Sequence, residues 1–520
     1  MLKPLMVLCI TLPWLNPFAP GPSPAVMPWL VALAASACLI LVAHLRQRTG
    51  KNASNTFSSA ECWGYTAACA WVIAGVISSG IGLLQYFGAS VALDPWVNQT
   101  RFGEAFANLR QRNQFASLTN IALAALIWWA ATASVHLNAN GRANGRSQWL
   151  IMLVAGLLAI GNAASSSRTG LVQLFGLCAL FGVWGLWRRP VVHRVVLVVV
   201  VVYSLAALAL PWLAGLDLSV HGIAARLRGD SHACASRITL WSNVLHLIAK
   251  KPLLGWGWGE LDNSHYITLY DGPRFCEILD NAHNLPLQLA VELGMPLALL
   301  VCGGFVWWVL RQRPWAEADP NRQLAWSVLA VILVHSMLEY PLWYGPFQMA
   351  FALCLRMLWQ PLKVKVDTLN DAKTVSNSLV TRHIKIWSAL VLIAGVAYAA
   401  SDYHRVSQIY LSPESRDASY RIDTLSKIQD SRLFGEQAHF AGLILTPLTS
   451  ANAEWTYDSA TSLLHYSPEP RVIEKVIESA VLLGRDDEAL AHLARYRAAF
   501  EEDHARWVKA NTRKSWHGLR

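Results

Sequence analysis

The chain is 520 residues long, 54% apolar and only 15% charged, where an ordinary soluble domain carries about 25% charge. Uncharged stretches longer than about 18 residues exclude a soluble globular enzyme as the main body, and the composition equally excludes a disordered or collagen-like chain. The net charge of +10 arises from 43 Lys and Arg against 33 Asp and Glu; basic residues collect on the cytoplasmic side of membrane spans, so topology must account for this excess before nucleic acid does.

No charge occurs from Pro4 to Leu45, and Pro13, Pro17, Pro20, Pro22, Pro24 and Pro28 interrupt that stretch. It divides into spans at about 4–16 and 27–45 around a proline-rich turn. Further uncharged stretches follow at 62–93, 113–141, 147–167, 169–187, 195–216, 293–310, 323–338, 340–355 and 386–401. The last three are short for a bilayer core of about 30 Å and call for snorkelling Arg or Lys at their ends. The expected fold is an all-α polytopic membrane protein with about eleven (ten to twelve) spans.

One set of short loops holds Arg46, Arg48, Lys51, Arg142, Arg146, Arg188, Arg189, Arg194, Arg311, Arg313, Arg322, Lys363, Lys365, Lys373, Arg382 and Lys385, which is 16 cations. The opposite loops hold four: Arg101, Arg110, Arg112 and Arg168. The first side is therefore expected to be cytoplasmic, with the N-terminus there and a linker at about 360–385. A long loop at about 217–284 and the C-terminus then lie outside. Composition divides the chain into a transmembrane domain, 1–401, and a charged helical tail, 402–520. In the tail Pro470 opens a helical stretch through Val472, Val476 and Ala480; after Gly484 a second runs through Ala489, Leu490, Leu493 and Tyr496. The resulting hairpin resembles one tetratricopeptide-like unit.

Seven of nine cysteines lie in or beside spans and read as small apolar residues. Only Cys234 and Cys276 lie in the large outer loop, a disulfide candidate in an oxidising compartment. No CxxC or Cys/His spacing suggests a metal site.

Charges near the outer ends of spans are costly to bury without a role. Four polar segments fall there: Ser165-Ser166-Ser167-Arg168-Thr169-Gly170; Ser236-Arg237-Ile238-Thr239-Leu240-Trp241; Asp280-Asn281-Ala282-His283-Asn284; and His335-Ser336-Met337-Leu338-Glu339-Tyr340-Pro341-Leu342-Trp343-Tyr344. Outward guanidinium groups at headgroup depth suit a lipid-linked diphosphate, because they fork onto phosphate oxygens. A nearby imidazole can take a proton from an attacking hydroxyl. With no HExxH and no outward acidic pair, a metal-free and cofactor-free mechanism is expected, with arginine offsetting leaving-group charge. A transporter would place ionisable residues at mid-membrane, and here most lie at loop edges.

SSSRTG, SRITLW, LLGWGWG and DNAHNLPLQLAVELGMP, in this order between spans, resemble the O-antigen ligase/polymerase (Wzy/WaaL-type) superfamily. HSMLEYPLWY with a helical outer tail resembles its protein-glycosylating branch, the PglL-type O-oligosaccharyltransferases or pilin glycosylation ligases. One departure is Gln111-Arg112-Asn113, where that branch usually shows Gln-Pro-Asn. The resemblance implies a GT-C-like membrane glycosyltransferase of the bacterial inner membrane with its active site on the periplasmic face. It implies en bloc transfer of a glycan from undecaprenyl diphosphate to Ser or Thr of periplasmic or pilin proteins. The alternatives are an O-antigen ligase acting on lipid A-core and, more remotely, a polysaccharide polymerase or transporter. Arg168 and Arg237 match the arginines that hold the diphosphate, and His283 matches the histidine that activates the acceptor. His335, Glu339, Tyr340, Tyr344, Asn284, Gln111 and Asn113 take acceptor-side or supporting roles.

Overall fold

The computed structural model describes residues 2–19, 21–49, 59–137, 145–228, 233–359 and 371–517. Lys51, Arg142, Lys363 and Lys365 lie outside the described residues, as do the side chains of Arg48, Cys62, Arg146, Lys373 and Arg382 and the linker segment 360–370. Among the described residues there are helices and no strand. In chain order they are α1 Leu2–Leu15, α2 Val26–Thr49, α3 Ser59–Tyr86, α4 Arg112–Leu137, α5 Gly145–Ser165, α6 Arg168–Val183, α7 Pro190–Leu213 and α8 Gly222–Arg228. There follow α9 Arg237–Lys250, α10 Leu261–Ile267, α11 Leu285–Leu293, α12 Met295–Gln312, α13 Pro320–Ser336, α14 Gly345–Leu358 and α15 Asp371–Ser407. The tail holds α16 Thr424–Ile428, α17 Gly435–Leu445, α18 Ala453–Leu463, α19 Pro470–Leu482, α20 Asp486–Ala499 and α21 Glu501–His517.

Among the described residues seven helices are long and apolar enough to cross a bilayer: α2, α3, α4, α5, α7, α12 and α15. The chain is thus an integral membrane protein. Each of the eleven uncharged stretches overlaps one helix; α1, α6 and α14 are shorter apolar helices of 14 to 16 residues, and α13 has 17 residues. The 62–93 stretch is not helical to its end: α3 stops at Tyr86 and a short 3-10 turn covers Ala89–Leu93.

The backbone forms two compact units: Met1–Asp230 with Val309–Ala400, and Ser231–Trp308 with Ser401–Arg520. Composition draws its line at 401/402, whereas packing groups the large outer loop with the tail. In the first unit α4 is the central helix, 83% of its apolar window buried, and it packs on α3, α5, α6 and α13. Its sequence explains this position, since the alanines of α4 let neighbouring backbones approach. A Cβ on Gly75 of α3 would fall 2.5 Å from Ala122, and one on Gly170 of α6 the same distance from Ala116.

The second unit has a small core of Val406, Ile428 and Ala438 and two larger ones. One joins Leu240, Val244 and Leu247 of α9 to Phe275, Leu279 and Val291. The other is built from Leu463, Val472, Val476, Ala480 and Tyr496 of the tail together with Tyr266 of the loop. Tyr266 Oη lies 2.9 Å from His492 Nδ1, and His465 Nδ1 lies 2.8 Å from Glu260 Oε2. These contacts are why loop and tail are one body. Helices α19 and α20 form the expected hairpin, turning at Gly484 with φ +70°, a left-handed helix end that glycine permits. Leu490 departs from that reading, being 63% exposed.

The glycine-rich stretch before α10 and the α11–α12 junction are joined by backbone hydrogen bonds, and Glu292 Oε1 adds one more by accepting from Gly259 N at 2.9 Å. Trp256 N donates to Val291 O at 2.9 Å, Gly257 N to Glu292 O at 3.0 Å, and Met295 N to Pro252 O at 2.8 Å. A Cβ on Gly255 would fall 2.3 Å from Glu292 O, and one on Gly294 would fall 2.1 Å from Leu253 O. The two backbones therefore cross where only glycine fits.

Candidate active site

In the first unit the sequence-predicted residues meet around the start of α4. Glu339 accepts from Gln111 Nε2 and from Asn113 Nδ2, both at 3.2 Å. Asn113 Oδ1 accepts from Ser167 Oγ at 2.6 Å. Ser167 also caps α6, its Oγ accepting from Gly170 N at 2.9 Å, so one hydroxyl serves a helix end and the network. Ser166 takes φ +49°, which turns the chain sharply enough to leave Arg168 exposed as the first residue of α6. A helix N-terminus already favours an anion, and the guanidinium adds to that field.

His335 is fully buried and Nδ1 lies 2.9 Å from Ser117 Oγ, which accepts from Gln173 Nε2 at 2.7 Å. Gln173 Oε1 accepts from Asn120, and Asn120 Oδ1 accepts from Asn162 at 2.8 Å. This chain of amides and hydroxyls ties α13, α4, α6 and α5 together. Its position assigns His335 a structural place rather than an exposed reactive one. Tyr340 and Tyr344 stack on one another with ring centroids 5.9 Å apart.

Two residues here were invisible to sequence reading as parts of a site. Arg112, where the related branch usually has proline, pairs with Glu104. Arg226 of α8 donates to Ser166 O at 3.2 Å, bracing the turn that carries Arg168. Burial, then the neighbouring charges of Arg112 and Arg168, push the Arg226 guanidinium down to about 10, with Glu104 opposing. It remains a cation at neutral pH, and it shares the Glu104 carboxylate with Arg112.

In the second unit Ser236 caps α9, its Oγ accepting from Thr239 N at 3.1 Å, and Arg237 is the first helical residue. One turn further, Trp241 Nε1 donates to Ala282 O at 3.0 Å, beside His283. His283 itself is held in the left-handed region at φ +50°. Asn281 Oδ1 accepts from His283 N at 2.8 Å, and Asn284 caps α11 by accepting from Leu287 N at 3.1 Å. Left-handed backbone at a non-glycine residue is uncommon, and here the Asn281 side chain holds the His283 N–H. Cys234 and Cys276 are joined as a disulfide with Cα atoms 5.4 Å apart, so the start of α9 is fastened to the segment leading into Asp280–Asn284. The structure thus brings Arg237, His283, Asn284 and the cysteines into one small body. Asp262, absent from the sequence reading, shares this unit. Burial, then Glu260 and Asp280, raise its carboxyl to about 7. Among the described residues no group of three His, Cys, Asp or Glu is arranged to hold a metal.

Three family models match the chain. An O-antigen ligase model covers residues 151–302, a protein glycosylation ligase model covers 105–130, and the C-terminal part of a membrane-bound virulence-factor polymerase covers 323–514. In Acinetobacter baylyi, a ComP-specific O-oligosaccharyltransferase is 24% identical over 52% of this chain and 47% of its own length. A general O-oligosaccharyltransferase of the same organism is 22% identical over 67% of this chain and 59% of its own. A putative polysaccharide ligase of Rickettsia conorii is 24% identical over 43% of this chain and 52% of its own. The chain therefore spans about half the length of these curated relatives. No solved structure matches it.

Proposed function

We propose that the chain, which matches an O-antigen ligase model and a protein glycosylation ligase model over parts of its length, transfers an oligosaccharide en bloc to Ser or Thr hydroxyls of proteins. The observation that carries this reading is local. The segment matched as protein glycosylation ligase, 105–130, contains Gln111 and Asn113, and both bond Glu339 of the HSMLEY turn. Two features of that branch thus fold onto each other.

The donor in this reading is an undecaprenyl-diphosphate-linked glycan, and the acceptor a periplasmic or pilin protein. Arg168, braced by Arg226, and Arg237 hold the diphosphate, and Arg112 adds positive charge beside Arg168. His283 removes the proton from the acceptor hydroxyl while the oxygen bonds to the sugar C1. The C1–O bond to the diphosphate breaks, its electron pair passes to the phosphate oxygen, and the arginines stabilise the charge that develops. Asn284 caps α11 next to His283. Glu339, Gln111, Asn113 and His335 support the first unit, and Tyr340 and Tyr344 serve the acceptor side. No metal is used. Eleven spans, a cytoplasmic N-terminus and a periplasmic tail in the inner membrane complete the reading; alkaline phosphatase fused after about residue 410 should be active, and a fusion near Lys365 inactive.

A second reading, ligation of glycan to lipid A-core, is favoured by one observation: the O-antigen ligase match at 151–302 includes Arg168, Arg237 and His283. Deleting the gene separates the two. Loss of protein glycans with intact lipopolysaccharide supports protein transfer, and the converse supports the ligase.

A further inference from the structure

The first unit contains a second polar constellation, far in sequence from the arginines above. Helices α2 and α14 touch at their beginnings. Trp29 Nε1 donates to Gln348 Oε1 at 3.0 Å, and a Cβ on Gly345 would fall 2.5 Å from Ala32. Toward their ends a cavity of about 300 Å³ opens between them. Leu39, Ile40, Ala43, Met349, Ala352 and Leu353 supply its apolar walls. Its polar rim is His44 near the end of α2, Arg356 near the end of α14, and Lys385 of α15. Arg356 also lies over the ring of Trp63, 5.5 Å from its centroid.

Two observations say what occupies this place. First, His44 is 7% exposed and its Nε2 has no hydrogen-bond partner, so the cavity holds a buried polar atom that protein leaves unanswered. Second, Arg356 and Lys385 form no ion pair with a carboxylate among the described residues. Apolar walls beneath two uncompensated cations match a molecule with hydrocarbon below and negative charge above. The cations stand at the end of the bundle where Arg46 and the strongly basic loops fall. Basic pockets between spans on such a side bind anionic lipid headgroups.

We propose that this cavity is a binding site for an anionic phospholipid: an acyl chain fills the space between α2 and α14, and the headgroup phosphate lies against Arg356, Lys385 and His44. The site is independent of the glycan-transfer reading.

The test is lipid retention by the purified full-length chain in detergent, read by native mass spectrometry with phosphatidylglycerol or phosphatidylethanolamine added. The wild type should retain phosphatidylglycerol in preference. Arg356→Gln with Lys385→Gln should weaken that retention about 30-fold, the attraction two such cations add, and leave phosphatidylethanolamine unchanged. Both residues are exposed, so folding should survive, and size-exclusion elution checks it. Ala352→Phe, which fills the apolar floor, should expel both lipids. Undiminished phosphatidylglycerol retention in the double variant overturns the proposal. So does equal competition by glycerol phosphate, which would make the site one for a free phosphate and not for a lipid.

Discussion

The two units hold their candidate residues by opposite means. In the first, Glu339, Asn113 and Ser167 form one set of hydrogen bonds between helices, and His335 and Gln173 meet on Ser117 in another, mostly as neutral amides and hydroxyls buried in the bundle. In the second, Arg237 and His283 are held by local devices: a serine cap, an asparagine turn, a disulfide and a tryptophan bonded to a carbonyl. Within a bilayer no water answers polar groups, so most of them pair inside the protein and the helices become cross-linked through side chains. In water the backbone groups of a loop can be answered by solvent, and order has to be imposed by caps and covalent links. The difference teaches that one network is a scaffold and the other a presentation device, and substitutions should separate the two.

The largest expected effect is at His283. His283→Ala should lower transfer by roughly 10²–10⁴-fold with donor binding largely intact, measured in vitro with lipid-linked glycan and acceptor protein at matched expression. Near-wild-type turnover would remove the general-base role. In the same assay Arg168→Lys and Arg237→Lys should keep partial activity, because charge remains and the fork is lost, and EDTA should change nothing. Strict dependence on a divalent cation would sink the metal-free mechanism.

Reduction of the Cys234–Cys276 bridge comes next. Closing a loop of 42 residues constrains the unfolded chain by on the order of 4 kcal/mol in the entropic model. Cys234→Ser should therefore lower the unfolding temperature of the second unit and leave the first unchanged, as followed by hydrogen exchange. Labelling of both thiols after denaturation without reductant would reject the bridge. Glu339→Ala should do the reverse. It strips two charge-assisted hydrogen bonds, each worth about 1.5–3 kcal/mol, and exchange should quicken at the start of α4 while the second unit keeps its protection. A uniform loss across both units would erase the distinction between them.

The smallest effect is one of pH. Burial holds His265 down to about 3 and His492 down to about 4. Below an unfolded value near 6.5 the unfolded chain takes up protons that the folded one refuses, so stability falls as pH drops. At pH 5 this costs on the order of 2 kcal/mol per histidine. Asp262 acts in the other direction: its folded carboxyl is raised to about 7, so its contribution falls as pH rises from about 4 toward 7. Asp262→Asn should therefore steepen the loss on acidification between pH 6 and 5, seen by thermal melts, and an unchanged slope would refute the assignment.

The helices were legible because a bilayer demands long uncharged runs, and each such run overlaps one helix. The separate local clusters were legible too, since caps and turns such as Ser236–Thr239 and Asn281–Asn284 are written within a few residues. What could not be read is whatever joins distant segments. Ser117 and His335 are 218 positions apart, and Tyr266 and His492 are 226 apart. No periodicity encodes such pairings, which is why the loop's union with the tail was missed. Arg226 was missed for another reason: a charged residue in a polar loop looks solvated until a carbonyl such as that of Ser166 is found against it.

The backbone crossing at Gly255 and Gly294 has a mechanical consequence. Helix α12 begins at Met295, immediately after that crossing, and only 6% of its apolar stretch is buried by protein. Its 18 residues rise about 27 Å, slightly less than a typical hydrocarbon core, and such a helix answers changes in bilayer thickness by altering tilt or thinning its surroundings. An ordinary loop would absorb that movement. Two interlocked backbones cannot, because no side chain stands between them to yield. The inclination of α12 and the position of α11 are therefore tied at this crossing, and transfer measured in bilayers of different acyl-chain length tests whether that tie extends to His283, just ahead of α11.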